Sequence, residues 1–281
     1  MINLLDINFL EENSFPEYLS NDIQLTKKSI YNKSTQFAFR IIVDTERQKK
    51  EILESHNCYE KKLTVIPNLT FLPEFYENNN IDVELVLKRL GLQKSDQFFF
   101  YPAQFWAHKN HRYIIDVVEY LKTVENINIK FIFCGNDKGN KDNIKNIIRQ
   151  KTLDKNFIIF DYLKNDEIIA LYKSTQALIM PTYVARSSLP LYESFYFQVP
   201  IFYSKFILDP ELEKYVTVFD LNNIFDLSQK LVDFLKNKDF FQKKILIAKE
   251  YYINNLSDKI ISNSYIKILN DYEYLSKRWK N

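Results

Sequence analysis

The sequence is poor in cysteine, carries almost no excess of charge, and contains no long apolar run. Its two cysteines, Cys58 and Cys134, stand far apart and outside any CxxC pair. This scarcity argues against a disulfide framework or a zinc cluster and favours a cytoplasmic protein. Basic and acidic residues number 38 and 36, for a net charge of +2. Nucleic-acid-binding proteins usually concentrate a strong basic excess on one face, so we expect no nucleic-acid partner.

Membrane insertion is also disfavoured. No stretch approaches the roughly 20 apolar residues of a membrane-spanning helix, and the N-terminal segment has neither the basic start nor the apolar centre of a signal peptide. Any membrane contact is therefore expected to be peripheral, at the inner face, through some of the 19 tyrosines and 23 phenylalanines. A chain of 281 residues that is 46% hydrophobic is long and apolar enough to form a packed core.

From residue 97 to residue 220, short apolar runs alternate with amphipathic helical patterns. The runs QFFFYP, NIKFIFCG, NFIIFD, QALIMP, VPIFYS and VTVFD predict strands. Because they are apolar throughout, they predict a parallel sheet with helices on both faces. The alternation predicts an α/β fold with a Rossmann-like, doubly wound parallel sheet, in which ligands bind beyond the carboxyl ends of the strands. Before this region, the strand-helix-strand pattern is too short for a full domain, and residues 72–82 predict a linker.

The segment YPAQFWAHKNH, residues 101–111, leaves the first of these strands and enters a helix. Lys109 and Asn110 stand at the predicted helix start, where free backbone N–H groups favour anions. A lysine there is unfavourable for the helix itself, so an anionic ligand would explain it; the alternative is a surface lysine on a long loop. The spacing of His108 and His111 suits a metal, but because no third ligand is near we interpret them as polar loop residues.

A second polar loop, in MPTYVARSSLPLYESF at residues 180–195, follows the fourth strand. Glu193 has apolar neighbours and stands in the predicted first turn of a helix, whose dipole would stabilise it. An unpaired buried carboxylate is costly, so Glu193 needs a partner or a function. Carboxylates accept from hydroxyl groups and repel phosphate, and a ribose beside a phosphate would suit both Glu193 and the helix start. The alternative is an ordinary glutamate near a helix N-terminus, and Arg186 is either a second phosphate contact or a surface charge.

These segments, in this order and at this spacing, resemble the C-terminal, donor-binding half of the family 4 glycosyltransferases, which have the two-domain GT-B fold. The resemblance covers residues 96–235 and, more weakly, 38–68. It implies a partial N-terminal α/β domain on the acceptor side at 1–75, a linker at 76–95, a Rossmann-like nucleotide-sugar-binding domain at 96–256 and a C-terminal helix at 257–281 that crosses back. Because the N-terminal domain would lack its first strands, we expect a partner chain, a homodimer or a truncated gene product.

The resemblance also implies roles by position. Lys109 corresponds to the family's diphosphate-binding lysine, and Glu193 to the second glutamate of its paired-glutamate motif, which holds the ribose; these two are the expected catalytic residues. The loop at 187–189 would approach the donor phosphates, and residues 162–163 the nucleobase. The remaining residues expected to bind the donor, with those loops included, are Ala103, Gln104, Asn110, Gly135, Tyr162, Leu163, Ser187, Ser188 and Leu189.

Three positions depart from the family pattern. Ala185 replaces the first glutamate of the motif, whose family role is near the transferred sugar. The pair Ala103-Gln104 replaces the usual Gly-Arg, so an arginine is missing from the phosphate site. The serines at 187–188 stand where Gly-Phe-Gly is common. Direct contact of position 185 with the sugar is therefore not expected.

The resemblance implies a retaining, hexosyltransferase-type enzyme without a metal or other cofactor. It would transfer a sugar from a nucleotide-sugar to a glycan or lipid-linked acceptor in surface polysaccharide biosynthesis. The alternative is a non-catalytic nucleotide-sugar-binding subunit, or a truncated remnant of a split glycosyltransferase, which Ala185 and the short N-terminal part favour. A GT-B sugar epimerase would need acidic catalytic residues that are not apparent in the sequence.

Overall fold

The computed structural model describes residues 1–4, 14–18, 21–55, 58–69, 71–185 and 189–279. The chain divides into two compact units. The first unit comprises Met1–Leu69, Ala185–Leu189 and Glu250–Asn281, and the second comprises Thr70–Val184 and Pro190–Lys249.

The second unit contains a six-stranded parallel sheet with the order β6-β5-β4-β7-β8-β9. Along the chain, β5 and β6 add to one side of β4, and β7, β8 and β9 then add to the other side, so the order reverses between β4 and β7. This is the doubly wound arrangement that the apolar runs predict. Its strands are β4 Phe99–Pro102, β5 Phe131–Cys134, β6 Phe157–Phe160, β7 Leu178–Met180, β8 Ile201–Ser204 and β9 Thr217–Phe219.

Helices cover both faces of this sheet. They are α3 Leu72–Asn78, α4 Val83–Arg89, α5 His111–Thr123, α6 Lys141–Gln150, α7 Asn165–Ser174, α8 Leu189–Phe197, α9 Ile224–Lys236 and α10 Asp239–Asn255. Side chains alternate across β4: Phe99 contacts Phe234 of α9, whereas Phe100 contacts Tyr172 of α7. Helices α5 and α9 therefore lie on one face and α7 on the other.

The segment predicted as a linker, residues 72–82 and on to 95, is instead largely helical. Helices α3 and α4 both pack against α7. Pro73 stands in the first turn of α3, where its missing N–H costs nothing, and the Asp82 carboxylate caps α4 by accepting from the backbone N–H of Leu85 at 3.0 Å. Arg89 at the end of α4 also pairs with Asp166 at 2.5 Å. These contacts make the segment part of the second unit rather than a spacer.

The first unit contains a three-stranded parallel sheet in the order β1-β2-β3. Its strands are β1 Ile2–Asn3, β2 Ile41–Val43 and β3 Leu63–Val65, and its helices include α1 Asn21–Phe37, α2 Glu46–Ser55 and α11 Asp258–Trp279. On one side of β2, Ile41 and Val43 share a buried cluster with Tyr31 of α1 and Ile52 of α2. On the other side, Ile42 packs with Ile66 and with Ile268 of α11. None of the helices in the described ranges has both the length and the apolar character of a membrane span.

Candidate functional site

The loops that follow β4 and β7 meet where the strand order reverses. A backbone hydrogen bond of 3.0 Å joins them, from the N–H of Tyr183 to the carbonyl of His108. The loop after β4 leads to α5, and the loop after β7 leads to α8, which lies on the same face as α7 because Phe197 of α8 stacks on Tyr172 of α7. The two loops therefore lead to opposite faces of the sheet, and a crevice opens between such loops at the carboxyl edge. In doubly wound sheets this switch point is where ligands bind. The sequence places both of its candidate segments, residues 101–111 and 180–195, at this point.

Lys109 ends a short 3-10 turn, Ala107–Lys109, that precedes α5. Asn110 follows in the left-handed region, with φ 56° and ψ 42°, and α5 begins at His111. The turn is fixed from below, because the phenol of Tyr101 donates to the carbonyl of Lys109 at 2.7 Å. The same phenol lies 2.8 Å from the hydroxyl of Thr182. A phenol has one proton, so Thr182 is the donor in that second bond, and Tyr101 holds both loops at once.

His111 lies under this turn among aromatic rings. It stacks on Phe105, with ring centroids 4.4 Å apart, and contacts Tyr101 and Phe133. Burial lowers the pKa of His111 to about 3, so the imidazole is neutral at physiological pH. His108 is also buried. The described residues contain no group of three His, Cys, Asp or Glu side chains able to hold a metal ion. Because His111 begins α5 and is fully buried, it is a core residue rather than a loop residue as predicted.

Glu193 is buried, with only 6% of its surface exposed, and it does have a protein partner. The phenol of Tyr172, on α7, donates to Oε2 of Glu193. Glu193 is the fifth residue of α8, beyond the first turn in which the sequence predicted it. The helix dipole acts mainly within the first turn. The hydrogen bond from Tyr172, rather than the dipole, therefore stabilises this carboxylate.

On the side of β4 away from β7, the residues that follow β4, β5 and β6 pack closely together. A Cβ on Gly135 would lie 2.6 Å from the carbonyl carbon of Ala103 and closer still to its oxygen, so only glycine fits. Lys141, at the start of α6, has a side chain that is only 5% exposed and pairs with Asp161, directly after β6. Its ammonium also lies 5.2 Å from the centre of the Phe105 ring. Gly135 thus has a packing role in addition to any contact with a ligand.

The remaining predicted site residues fall at the same carboxyl edge or outside the described residues. Gln104 is exposed and accepts from the indole N–H of Trp106 at 2.9 Å. Tyr162 is 75% exposed and Leu163 is buried. Leu189 is the first residue of α8. Arg186, Ser187 and Ser188 lie outside the described residues, so their predicted contacts stay predictions.

Sequence reasoning missed three residues that the structure brings into the site: Tyr101, Tyr172 and Lys141. Tyr101 and Tyr172 look like ordinary apolar core residues in their runs, and both rings are buried. The signal available was chemical, since a buried phenol needs a hydrogen-bond partner for its hydroxyl. A buried carboxylate such as that of Glu193 likewise needs a hydrogen-bond donor.

A family model described as glycosyl transferases group 1 matches residues 82–251, more than half of the chain. The chain belongs to the group 1 glycosyl transferases. The family membership expected from the resemblance is confirmed. Among curated relatives, the capsular polysaccharide biosynthesis glycosyltransferase CapH of Staphylococcus aureus is 26% identical over 176 residues, covering 53% of this chain and 49% of CapH.

Solved structures show that the fold of this group 1 glycosyl transferase is shared widely. A TarM variant of S. aureus, solved with fondaparinux, α-GlcNAc-glycerol and UDP, is 17% identical with a TM-score of 0.70, over 87% of this chain and 46% of TarM. Sucrose-phosphate synthase of Thermosynechococcus elongatus is 11% identical with a TM-score of 0.78, over 98% and 68%. HepE of Anabaena, solved with UDP-glucose, is 14% identical with a TM-score of 0.75, over 96% and 72%.

These likenesses confirm the expected fold class. The matched part of the chain spans about half the length of CapH and of TarM.

Proposed function

We propose that this chain transfers a sugar from a nucleotide-sugar donor to a glycan or lipid-linked acceptor in surface polysaccharide biosynthesis, with retention of anomeric configuration. Membership of the group 1 glycosyl transferases supports the reaction class. The similarity to CapH, a capsular polysaccharide glycosyltransferase, supports the pathway. The UDP and UDP-glucose bound by TarM and HepE support a nucleotide-sugar donor.

The observation that carries the proposal is the construction of the switch point. The turn that bears Lys109 is tied to the loop after β7 by Tyr101 and by the His108–Tyr183 hydrogen bond. The helix after that loop, α8, bears the buried carboxylate of Glu193. Lys109 and Glu193 thus follow the two strands at the switch point of the sheet, which supports the proposal that they bind a diphosphate and its ribose there.

In the proposed reaction, negative charge grows on the leaving diphosphate as its bond to the sugar breaks. Lys109 and the N–H groups at the start of α8, with the loop of Ser187, Ser188 and Leu189, would stabilise that charge electrostatically. Glu193 would accept hydrogen bonds from the ribose hydroxyls. Ala103, Gln104, Asn110 and Gly135 would line the crevice, and Tyr162 and Leu163 would border the nucleobase. We propose that no metal takes part, since the lysine and helix starts supply positive charge.

Replacing Lys109 tests the proposal. Lys109→Ala should lower the rate of sugar transfer by about a hundredfold or more, as is typical when a group stabilising transition-state charge is removed. Lys130→Ala is the matched control, because Lys130 precedes β5 at the opposite edge of the sheet and pairs with Asp96. Transfer would be measured with a panel of nucleotide-sugars. Equal rates in wild type and Lys109→Ala with every competent donor would overturn the role of Lys109.

A non-catalytic, nucleotide-sugar-binding subunit is the second candidate. The observation that favours it is Ala185, which stands where the family has a glutamate near the transferred sugar. Donor binding without turnover, alone or with a partner chain, would decide for this candidate. The first proposal also includes a partner chain or homodimer, which is tested by sedimentation without lipid vesicles. It further includes peripheral attachment to the inner face of the membrane, where a lipid-linked acceptor would lie, and sedimentation with lipid vesicles tests this.

A further inference from the structure

The hydrogen bond between Tyr172 and Glu193 joins two buried residues that lie 21 positions apart on different helices. Tyr172 lies in α7 and Glu193 in α8, so their contact is a tertiary one that local sequence does not dictate. The phenol donates to Oε2 specifically. A carboxylate has two oxygens that exchange places by rotation about its terminal bond, and a donor fixed on one of them sets the direction of the other.

The Tyr172 ring is held on both sides by other aromatic rings. It stacks on Phe197 at the end of α8, with centroids 5.3 Å apart and planes 22° apart. Its other contact is edge-to-face with Phe100 of β4, at 5.6 Å and 83°. Phe100 precedes Tyr101, the residue that fixes the Lys109 turn from the other face of the strand. The phenol therefore occupies a position set by the sheet itself.

The phenol also keeps its proton under all physiological conditions. Burial, followed by the charge of Glu193, raises the pKa of Tyr172 well above its ordinary value. It is therefore a permanent donor, and a hydrogen bond from it to a carboxylate is of the strong, charge-assisted kind. Such a bond offsets part of the cost of keeping Glu193 buried among apolar side chains.

We infer that Tyr172 is a positioning residue that aims Glu193 at the donor ribose and thereby makes the chain selective for ribonucleotide over deoxyribonucleotide donors. This inference rests on the proposed function, because it takes Glu193 as the acceptor of ribose hydroxyl groups. The selectivity follows from the geometry, since a carboxylate held in one orientation loses its hydrogen bond when the matching hydroxyl is absent. Donors built on a deoxynucleotide would be poor substrates.

A purely structural role for Tyr172 predicts something different. A tyrosine that only ties α7 to α8 would stabilise the fold and leave the ratio of ribose to deoxyribose affinity unchanged. Tyr196 provides a matched control on α8: its phenol donates to a carboxylate, that of Glu77, at 2.7 Å. That pair joins α8 to α3 and is not part of the proposed site.

The experiment is a calorimetric titration with UDP, GDP, ADP and CDP, each against its 2′-deoxy and 3′-deoxy forms, and with dTDP. The proteins are wild type, Tyr172→Phe, Glu193→Gln, Tyr196→Phe and Lys109→Ala, each checked for folding by circular dichroism. Wild type and Tyr196→Phe should prefer the ribonucleotide over one deoxy form by about tenfold or more, the value of a hydrogen bond to a charged group. In Tyr172→Phe that preference should fall towards one, with affinity for the deoxy form unchanged.

Two further variants keep the test decisive. Placing 4-fluorophenylalanine at position 172 fills the space of the hydroxyl without a donor, and it replaces Tyr172→Phe if that variant does not fold. Placing 4-aminophenylalanine there restores a donor and should restore the preference. Full ribose preference in the variants without a donor, together with its loss in Glu193→Gln, would overturn the positioning role while leaving the proposed function intact.

The proposed function fails in a different way. If wild type binds none of UDP, GDP, ADP, CDP and dTDP, or if Lys109→Ala binds the competent diphosphate as tightly as wild type does, the assignment of the donor site is wrong and the inference falls with it. Lys109→Ala is expected to weaken ribose and deoxyribose forms equally, because it acts on the diphosphate. A change in the ribose preference is thus diagnostic of Tyr172 and Glu193 alone.

Discussion

The phenol of Tyr101 donates to the backbone carbonyl of Lys109 at 2.7 Å, so the first strand of the six-stranded sheet directly fixes the turn proposed to bind diphosphate. The same oxygen accepts from Thr182, after β7. One hydroxyl group therefore ties together the two loops that border the crevice. Because the hydroxyl group bonds to the backbone carbonyl of Lys109, it fixes the position of that backbone. The ammonium group of Lys109 takes no part in this bond.

Replacing Tyr101 should loosen this junction. Tyr101→Phe leaves a buried carbonyl and a buried hydroxyl without their shared partner and should lower the free energy of unfolding by about 1–3 kcal/mol. It should also weaken nucleoside diphosphate binding. Tyr113→Phe is the control, since the phenol of Tyr113 also has two partners but shares its one proton between two acceptors, the carbonyls of Asp220 and Asn223. Urea unfolding and calorimetry would check both, and equal loss of diphosphate affinity in the two variants would contradict the junction's role.

Gly135 should be intolerant of any side chain, even without a ligand. A Cβ there would clash with the backbone of Ala103, so Gly135→Ala should cost about 2 kcal/mol or more by forcing the ends of β4 and β5 apart. Gly91→Ala is the comparison, because its Cβ would meet nothing within 4 Å and only its φ of 73° opposes substitution, at about 1–2 kcal/mol. If chemical denaturation gives Gly135→Ala the smaller cost, the close packing of these strand ends is not as described.

The neutral, buried His111 should make stability depend on pH. Its pKa is about 3 in the folded protein against 6.5 in the unfolded chain, so between these values only the unfolded chain binds the proton. This contribution to stability is complete above pH 6.5 and is lost, as pH falls, by about 1.4 kcal/mol per pH unit. In His111→Gln the dependence of unfolding free energy on pH between 6 and 4.5 should be shallower by about one proton. Identical slopes would show that His111 titrates normally.

Transfer activity should be insensitive to chelators. Lys109 and the helix starts are proposed to neutralise the diphosphate, so EDTA should leave the rate unchanged, and adding Mg²⁺ should not raise it. The rate would be followed by release of the nucleoside diphosphate. A rate that EDTA abolishes and Mg²⁺ restores would show that a metal shares this role.

The six-stranded sheet was predictable because its strands are short, apolar throughout and bounded by Pro102, Gly135 and Pro181, which are local features. The helix α3 was missed because Pro73 and the asparagines near residue 79 indicate a loop, yet a proline in the first turn suits a helix and α7 supplies the surface on which it packs. The binding roles of Lys109 and Glu193 stay predictions, but the two residues themselves were singled out from their chemistry. Their partners were not, since the contact of Tyr172 with Glu193 depends on how two helices pack across the sheet.

Aromatic rings run across three strands of that sheet in register: Phe99 lies beside Phe131, and Phe131 beside Phe157. A slip of one residue would turn such a row to the other face, where α7 packs against Phe100. The rings therefore hold Pro102, Cys134 and Phe160 level with one another. The aromatic rings therefore fix the relative positions of the strand ends that border the crevice. Truncating a ring in that row would shift these strand ends without changing any polar group there.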